Sequence, residues 1–411
     1  MQNKNSETGA LRASVLSISP EAADYGIVVF SHLRWKFVWQ RPQQFLSRFA
    51  DKHRILFIEE PMIDVANGRE PWLEIEAVAP NVLTAVAHLS REVWESPNRH
   101  AIQRKLAREA MDTANLAGEF CEPLLWYYGP MEAEWSLDHF PCSGVVYDCM
   151  DELSQFRGAP SGLIEQEQRV MKRADVVFTG GYELYLKKRK QHPNVHFFGC
   201  GVEYDHFALA QDPATDTPQD IRNLKKAIIG WFGVVDERVD YELLDQMAKL
   251  RPDWSFVMVG PVVKVDPEQL PKSDNLHWLG GRDYKDLPRY CAGYDVCMMA
   301  FALNEATEFI NPTKALEYLA TGKPVISTPV KDVVRQYSDL VYIERDAQGF
   351  VDRIENILQM PDQTRIEQGV ALARDSSWEA TVAKMQDLIA EAIEAEDNEV
   401  VLPVQKQAYA S

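Results

Sequence analysis

Short apolar runs alternate with amphipathic segments along most of the chain. Segments with helical spacing lie between these runs, at about residues 42–50, 98–116, 161–173 and 181–191. The sequence at 73–77 and 82–85 predicts two further strands or a hairpin. This alternation predicts a parallel, doubly wound α/β sheet. The runs typical of buried parallel strands in the first half are Ile27–Phe30, Ile55–Ile58, Leu124–Tyr128, Val145–Asp148, Val176–Thr179 and Val195–Phe198.

The same pattern restarts after a polar stretch at residues 206–224, whose many Asp, Pro, Thr and Gln residues are typical of a linker. Helical segments of the second half are predicted at about 240–249, 287–292, 313–322 and 350–359, and an amphipathic helix follows at about 377–394. The predicted strands of this half are Ala227–Gly230, Ser255–Val259, His277–Leu279, Val296–Phe301, Pro324–Ser327 and Val341–Ile343.

We therefore expect two α/β domains that face each other across a cleft, an N-terminal one at 23–205 and a C-terminal one at 225–376. Residues 1–22 are expected to be a flexible leader. Residues 377–395 are expected to form a last helix that returns to the N-terminal domain, before a tail at 396–411. Ligands of such sheets bind at the carboxyl ends of the strands.

Composition narrows the class of partner. A net charge of −19 argues against a broad nucleic-acid-binding surface. The dense cationic run Lys187–Lys190 is either a solvated helix end or a contact for anionic lipid or an anionic acceptor. Because no apolar run approaches the ~20 residues that span a bilayer, we expect a cytoplasmic protein whose membrane contact would be peripheral, at the inner face of the plasma membrane. The 6 cysteines include no Cys-x-x-Cys pair, which favours neither a disulfide framework nor a zinc site.

Residues 300–326 carry the clearest chemical signal. An apolar strand leads into a polar loop that breaks at Asn311-Pro312, and a helix follows from Thr313. Backbone N–H groups at the start of the helix and the positive charge of Lys314 suit phosphate. Glu317, one turn later, suits hydroxyl groups. Phosphate together with a diol describes a nucleotide sugar better than it describes a nucleic acid or a peptide.

The run Glu-Tyr-Leu-Ala-x-Gly-x-Pro-Val from Glu317 resembles the retaining glycosyltransferases of the GT-B fold, specifically glycosyltransferase family 4. Three further stretches, at 31–43, 146–153 and 311–314, are similar to a bacterial subgroup of teichuronic-acid or capsule-type glycosyltransferases. The resemblance spans about residues 27–380. It implies two Rossmann-like domains and transfer of a sugar from a nucleoside-diphosphate sugar to a glycan or lipid-linked acceptor in surface polysaccharide biosynthesis.

The resemblance also implies roles at the donor site. Glu317 would hold the ribose, while the backbone near Thr313 and the ammonium of Lys314 would hold the pyrophosphate. Phe309 stands where these enzymes usually have a sugar-binding glutamate, which leaves Glu308 as the candidate for that contact. Further donor-site candidates are Asn311, Gly233, Gly280 and Arg282.

Catalysis and acceptor binding are expected from both domains. Lys314 and Arg238 would stabilise the leaving diphosphate, although Arg238 could instead form a surface ion pair with Asp236 or Asp240. Tyr128 stands where many relatives have a histidine, and a phenol suits positioning better than proton abstraction.

Four side chains of the N-terminal domain are candidates for acceptor binding. The alternative for Trp39 is hydrophobic packing, and the alternative for Asp151 is a helix N-cap. Because the chain has no Asp-x-Asp motif, we expect neither a metal nor a cofactor. The acceptor-site candidates are Arg41, Trp39, Asp148 and Asp151.

Other functions remain as alternatives. A GT-B epimerase is disfavoured because its inverting relatives lack the Asn-Pro-x-Lys-x-x-Glu arrangement, and a pyridoxal-type phosphorylase would be far longer. A dinucleotide oxidoreductase is disfavoured because no Gly-x-Gly-x-x-Gly follows the first strand. A catalytically silent GT-B protein that binds nucleotide sugar as a scaffold or regulator is the alternative from a different class.

Overall fold

The structure is a computed structural model that describes residues 25–156 and 158–400, the last six of them by their backbone alone. The predicted leader at 1–22 and residues 401–411 of the predicted tail lie outside the described residues. Two β-sheets with surrounding helices make up the described chain.

The first sheet has 8 strands in the order β3-β4-β2-β1-β5-β6-β7-β8. Only β3 runs antiparallel to its neighbour, as the first strand of a hairpin with β4, and all other neighbouring pairs are parallel. The strands are β1 (Ile27–Ser31), β2 (Ile55–Val65), β3 (Trp72–Ala79), β4 (Val82–Ser90), β5 (Leu124–Tyr127), β6 (Gly144–Cys149), β7 (Val176–Thr179) and β8 (Val195–Phe197).

The second sheet has 6 parallel strands in the order β11-β10-β9-β12-β13-β14. In both sheets the strand order reverses next to the first strand of the sheet. The reversal lies between β1 and β5 in the first sheet and between β9 and β12 in the second. Ligands of doubly wound sheets bind at such points, outside the carboxyl ends of the strands. The strands are β9 (Ile228–Phe232), β10 (Ser255–Val259), β11 (Leu276–Gly280), β12 (Val296–Met299), β13 (Val325–Ser327) and β14 (Tyr342–Ile343).

Helices connect the strands of both sheets. Those of the first half are α1 (Arg41–Phe49), α2 (Arg91–Trp94), α3 (Arg99–Ala114), α4 (Ala133–Ser136), α5 (Leu163–Arg173) and α6 (Tyr182–Lys188). Two short helices lie between the sheets, α7 (Tyr204–Ala208) and α8 (Gln219–Arg222). Those of the second half are α9 (Tyr241–Leu250), α10 (Leu287–Gly293), α11 (Lys314–Ala320), α12 (Lys331–Tyr337), α13 (Ala347–Gln359), α14 (Gln363–Asp375) and α15 (Trp378–Val400).

The structure differs from the sequence pattern in the helices with few apolar residues. Helices α12 and α14 are not predicted from the sequence, and α14 buries only small residues, Gly369 and Ala373, so its apolar stripe is weak. Residues 206–224 are not a bare linker, because Phe207 and Ile221 are buried in the core of the second sheet. Helix α15 continues to Val400, beyond the end expected from the sequence.

Two buried clusters cover the two faces of the first sheet. Along β1, Val28 and Phe30 point to one cluster and Ile27 and Val29 to the other, as the two-residue period of a strand requires. A third cluster surrounds the second sheet. The two sheets therefore have separate cores.

The chain crosses between the two halves at two adjacent places. Val202 pairs with Ser377 in an isolated parallel bridge, and the Val202 N–H donates to Ser376 O over 2.9 Å. Beyond the second crossing, α15 packs on the first sheet, where Trp378 meets the ring of Phe45 edge-on at 5.3 Å. The first residues after the second domain thus return to the first one.

We expect Trp378→Ala to lower the free energy of unfolding by about 3–5 kcal/mol, because it removes a large side chain that is only 2% exposed at the junction. Urea unfolding followed by circular dichroism measures this change. Trp72→Ala is the control, since that ring is 49% exposed and should cost much less. Equal losses for the two variants would contradict the anchoring role of Trp378.

Candidate active site

A deep cleft lies between the carboxyl edges of the two sheets. Its volume is about 940 Å³, which suits a small-molecule ligand. The first domain contributes the loop after β1, the residues after β6 and Gly180 after β7, and the second contributes the segments after β9, β10, β11 and β12. A ligand in this cleft would contact both domains.

Helix α11 presents its polar side to the cleft. Lys314 and Glu317 lie one turn apart on the same face and both line the cleft, whereas Ala315 and Leu316 between them are buried. Thr313, the residue before the helix, also lines the cleft, and its side chain makes no capping hydrogen bond. Three of the predicted donor-site residues are therefore together.

Lys314 is held against the end of β9. Its Nζ lies 5.5 Å from the centre of the Trp231 ring. Gly233 has a φ of +138°, and a Cβ atom there would overlap the Lys314 side chain. Glycine is needed at this position for its backbone conformation and for the space it leaves. Gly233 lines the cleft, and its lack of a side chain leaves room for Lys314.

The electrostatics of this pair are governed by enclosure. Burial raises the pKa of Glu317 to about 7, although Lys314 opposes the change and Glu203 adds to it. Burial likewise lowers the pKa of Lys314 in spite of the attraction of Glu317. Among the described residues, neither side chain has a hydrogen bond or ion pair. Phosphate oxygens at Lys314 and hydroxyls at Glu317 would supply the missing partners.

Arg238 lines the wall of the cleft that the second domain contributes. It forms the ion pair with Asp236 that the sequence left as an alternative, with Nη2 to Oδ2 at 2.8 Å and Nε to Oδ1 at 3.0 Å. Its guanidinium also lies 5.9 Å from the centre of the Phe156 ring of the first domain. The ion pair orients the guanidinium without removing it from the cleft.

Asp151 lies in the cleft at the end of β6. Burial raises the pKa of this carboxyl, and Arg238 and Arg41 act in the opposite direction. The structure shows no helix directly after it for which it could be an N-cap, since the next element is a short 3-10 turn at Leu153–Gln155 whose N-cap is Glu152. The carboxylate is therefore free to face a ligand.

The loop that carries this aspartate is anchored from below by buried charges. Lys188 is 0% exposed and binds Glu167 over 2.6 Å and Glu152 over 3.3 Å. Lys187 binds Glu152 over 2.8 Å. Half of the cationic run predicted at 187–190 is thus engaged in ion pairs, which leaves less of it for an anionic surface.

Arg41 and Asp148 form a buried ion pair beneath the cleft floor. Arg41 Nη2 lies 2.8 Å from Asp148 Oδ1, and Arg41 Nη1 donates to Phe198 O over 2.8 Å. Asp148 is 0% exposed and does not line the cleft, whereas part of Arg41 does. Asp148 therefore lies where it can orient Arg41 but not where it can touch a ligand.

Tyr128 is also part of the core rather than of the cleft surface. It is 1% exposed, and its ring packs near Trp126. Burial and the nearby Asp148 carboxylate raise the pKa of its phenol well above 10.0, so it stays protonated. The residue lies at the predicted strand end, but the alternation of the strand points its side chain into the sheet's core.

Trp39 lies at the mouth of the cleft and is 37% exposed. Its ring meets that of Trp35 edge-on at 6.2 Å, and Trp35 is buried against Phe57. Trp35 is therefore part of the core, and Trp39 keeps an accessible face that suits a sugar ring.

The remaining donor candidates divide into two groups. Asn311 lines the cleft, whereas Glu308 points away from it and pairs with Lys331 over 2.7 Å. Phe309 packs against the core of the first domain, with Lys187 Nζ 5.0 Å from its ring centre. Neither of these two side chains offers a carboxylate to the cleft.

The loop after β11 contributes less than the sequence suggests. Arg282 lines the cleft, but its guanidinium is bound to Tyr290 Oη at 2.7 Å and to Asp220 Oδ2 at 3.0 Å. Gly280 adopts a φ of +73° and accepts a hydrogen bond from the Gly260 N–H at 2.9 Å. Both residues shape the loop, and Arg282 is held by the segment between the domains.

Two residues near the cleft were not found from the sequence, His32 and Lys264. His32 follows β1, its Nδ1 is buried without a partner among the described residues, and burial with nearby Lys264 lowers its pKa to about 4. Lys264 lies 5.4 Å from the centre of the Phe156 ring, across the domain boundary. The position of His32 directly after an apolar strand was the available signal, whereas no sequence feature places Lys264 there.

Comparison with known proteins gives a family match over part of the chain, a relative and a fold. Residues 226–360 match a family described as "Glycosyl transferases group 1". A relative named "Putative teichuronic acid biosynthesis glycosyltransferase TuaH", from Bacillus subtilis (strain 168), is 27% identical over 304 residues, which cover 68% of this chain and 74% of the relative. The protein is a glycosyltransferase with the GT-B fold.

Solved structures agree on the fold of this glycosyltransferase. Sucrose-phosphate synthase from Thermosynechococcus elongatus has a TM-score of 0.65 at 17% identity, covering 90% of this chain and 100% of its own. Anabaena HepE in complex with UDP and glucose has a TM-score of 0.64 at 13% identity, covering 89% of this chain and 99% of its own. The predicted GT-B architecture is confirmed.

Two features are absent from the described residues. No helix in this part of the glycosyltransferase is both long enough and apolar enough to cross a membrane. Within residues 25–156 and 158–400, no cluster of three or more His, Cys, Asp or Glu side chains could hold a metal ion.

The pKa of Glu317 predicts a pH-dependent stability difference. Because the pKa rises from 4.5 in the unfolded chain to about 7 in the folded one, the folded state binds the carboxyl proton more tightly than the unfolded state does. This preference stabilises the fold at low pH, and the contribution is lost as the pH rises through 7. The difference in the free energy of unfolding between Glu317→Gln and wild type should therefore change by about 2 kcal/mol in favour of the variant as the pH rises from about 5 to about 8. Urea unfolding across this range measures the difference. Exposed Glu305, changed to Gln, is the control and should track wild type.

Proposed function

We propose that the protein is a retaining glycosyltransferase, of the family 4 type, that moves a sugar from a nucleoside-diphosphate sugar to a glycan or lipid-linked acceptor. The observation that carries the proposal is the unpaired Lys314 and Glu317 on one face of α11, both directed into a cleft shared by two domains. The likeness to TuaH supports a place in surface polysaccharide biosynthesis. The HepE structure, with UDP and glucose, supports a uridine nucleotide as one donor to test.

In this proposal the donor lies along α11. Lys314 contacts the diphosphate, and Glu317 accepts hydrogen bonds from the ribose hydroxyls. Arg238 lines the cleft from the same domain, near enough to Lys314 to affect its pKa, and its guanidinium, oriented by Asp236, can reach the same diphosphate. Two cations on one leaving group stabilise the negative charge that develops as the glycosidic bond breaks.

The proposed chemistry needs no protein nucleophile. The acceptor hydroxyl attacks the face from which the diphosphate leaves, and a donor phosphate oxygen takes its proton. Tyr128 is too enclosed to take part directly, so its role is reduced to packing beside Arg41 and Asp148. We also propose that no metal is required, because Lys314 and Arg238 can meet the charge of the diphosphate.

The acceptor enters from the first domain in this proposal. Asp151 lies in the cleft facing Arg238 and can orient the attacking hydroxyl. Trp39 can stack on an acceptor sugar at the cleft mouth, with Arg41 behind it. We propose a cytoplasmic location with at most peripheral membrane contact, and the ion pairs of Lys187 and Lys188 make the cationic run a weaker candidate for that contact.

Nucleotide binding tests the donor assignment. Glu317→Ala should weaken the binding of UDP, or of whichever of UDP, GDP and ADP binds wild type, by about tenfold or more, because the ribose loses a charged hydrogen-bond acceptor. Isothermal titration calorimetry measures the affinity. Glu305→Ala changes an exposed carboxylate of the same polypeptide segment and should leave it unchanged. Unchanged affinity in the Glu317 variant would remove the ribose assignment.

Turnover tests the reaction. Wild type incubated with a panel of nucleoside-diphosphate sugars should release the diphosphate slowly from one of them, without added metal and in the presence of a chelator. Stereochemical retention is read from the anomeric configuration of the product by NMR. Tight nucleotide binding with no release on any donor or acceptor would favour the scaffold alternative instead.

A further inference from the structure

Phe156 of the first domain contacts two cations of the second domain. The guanidinium of Arg238 lies over its ring, 5.9 Å from the ring centre, and the ammonium of Lys264 lies 5.4 Å from the same centre. Arg238 lines the cleft, whereas Phe156 does not. A ring of the first domain therefore touches a cation that the proposed mechanism uses, from outside the space that a ligand would occupy.

Both cations belong to a paired extension of the second sheet. The segments after β9 and β10 form a parallel bridge between Val235 and Val262, and the N–H and carbonyl of Val235 each make a hydrogen bond of 3.0 Å to the neighbouring segment. Lys264 comes directly after this pairing, with a left-handed φ of +61° that is uncommon for a residue with a side chain. The Arg238 carbonyl accepts a hydrogen bond from the Ala302 N–H over 2.8 Å. The backbone of the second domain thus fixes where both side chains begin.

The guanidinium of Arg238 is held along one edge only. Its Nε and Nη2 bind the Asp236 carboxylate, and its Nη1 makes no hydrogen bond with any described residue. The side chain is 26% exposed and lines the cleft, so a ligand can reach it. Because Asp236 and Arg238 belong to the same loop, their ion pair does not link the guanidinium to the first domain. The ring of Phe156 supplies that link.

The loop that carries Phe156 is itself anchored. Phe156 follows the 3-10 turn Leu153–Gln155, whose N-cap residue, Glu152, forms an ion pair with the buried Lys188. The same loop begins with Asp151, the side chain proposed to orient the acceptor hydroxyl. One anchored loop of the first domain therefore contacts the cation at the leaving group and also carries the carboxylate at the acceptor.

We propose that Phe156 is a positioning residue, whose ring holds the Arg238 guanidinium in the orientation that meets the diphosphate. A cation is attracted to the face of an aromatic ring, and this attraction requires the two domains to be arranged around the cleft as they are in this structure. Stabilisation of the leaving group then depends on the contact between the domains. This inference rests on the proposed function, because it assumes a diphosphate at Arg238.

A double-mutant cycle tests the coupling between the ring and the guanidinium. Wild type, Phe156→Leu, Arg238→Ala and the double variant are titrated calorimetrically with UDP, GDP and ADP, and the cycle is evaluated for the diphosphate that wild type binds most tightly. Leucine keeps apolar bulk at the position but removes the ring. We expect Phe156→Leu to weaken binding by about two- to fivefold when Arg238 is present and to have no effect in the Arg238→Ala background. Phe156→Tyr keeps the ring and should bind as wild type does.

Tyr182→Leu is the matched control. Tyr182 is also a half-buried ring of the first domain with a second-domain guanidinium over it, that of Arg335 at 4.5 Å, but neither residue lines the cleft. This variant should change the affinity by less than about twofold.

Four results would overturn the inference while the Glu317 contact stands. They are unchanged binding in Phe156→Leu or in Arg238→Ala, equal losses from Phe156→Leu with and without Arg238, a loss in Tyr182→Leu as large as that in Phe156→Leu, and a loss in Phe156→Tyr. If wild type binds none of the three diphosphates, the proposed function itself fails.

Discussion

The enclosure of charged side chains between two domains is the constraint on which this structure depends. Lys314 and Glu317 lie on the same face of a short helix, so each stabilises the other. That attraction is smaller than the cost of removing both from water, and the pKa of each therefore moves towards its neutral form. Such a site is stable only because the rest of the fold supplies enough burial of apolar groups. Its unmet hydrogen-bonding capacity is what a phosphate-bearing, hydroxyl-bearing ligand would satisfy.

The two doubly wound sheets explain why the charges converge. Each sheet has its reversal point next to its first strand, and both carboxyl edges face the same cleft. Charged groups there are arranged in pairs that orient one another: Asp236 holds Arg238 at the cleft, and Asp148 holds Arg41 beneath it. Catalysis by a preorganised charge distribution requires such orientation, because side chains that had to reorganise during the reaction would lose most of the benefit.

Much of the fold could be predicted from the sequence, since buried parallel strands appear as unbroken apolar runs and these were found in both halves. Two of the helices that were not predicted, α12 and α14, have an apolar stripe that is short or made of small residues. Within the site, Lys314 and Glu317 could be placed together because one helix determines their spacing. The surroundings of Tyr128 and Glu308 could not be predicted from the sequence. Which side of a strand faces the core, as for Tyr128, and where a loop side chain points, as for Glu308, depend on the elements that pack against them.

The sequence by itself determined the class of fold, the segment that carries the donor site and the likeness to glycosyltransferases, because these depend on periodicity and local spacing. Only the tertiary structure decided which charges are free. It paired Glu308 with Lys331 and buried Lys188 with Glu167, and it brought Asn311 to Gly180 across the domain boundary. Each of these outcomes joins residues distant in sequence, and the energy of a charge or polar group depends on such neighbours and on its exclusion from water.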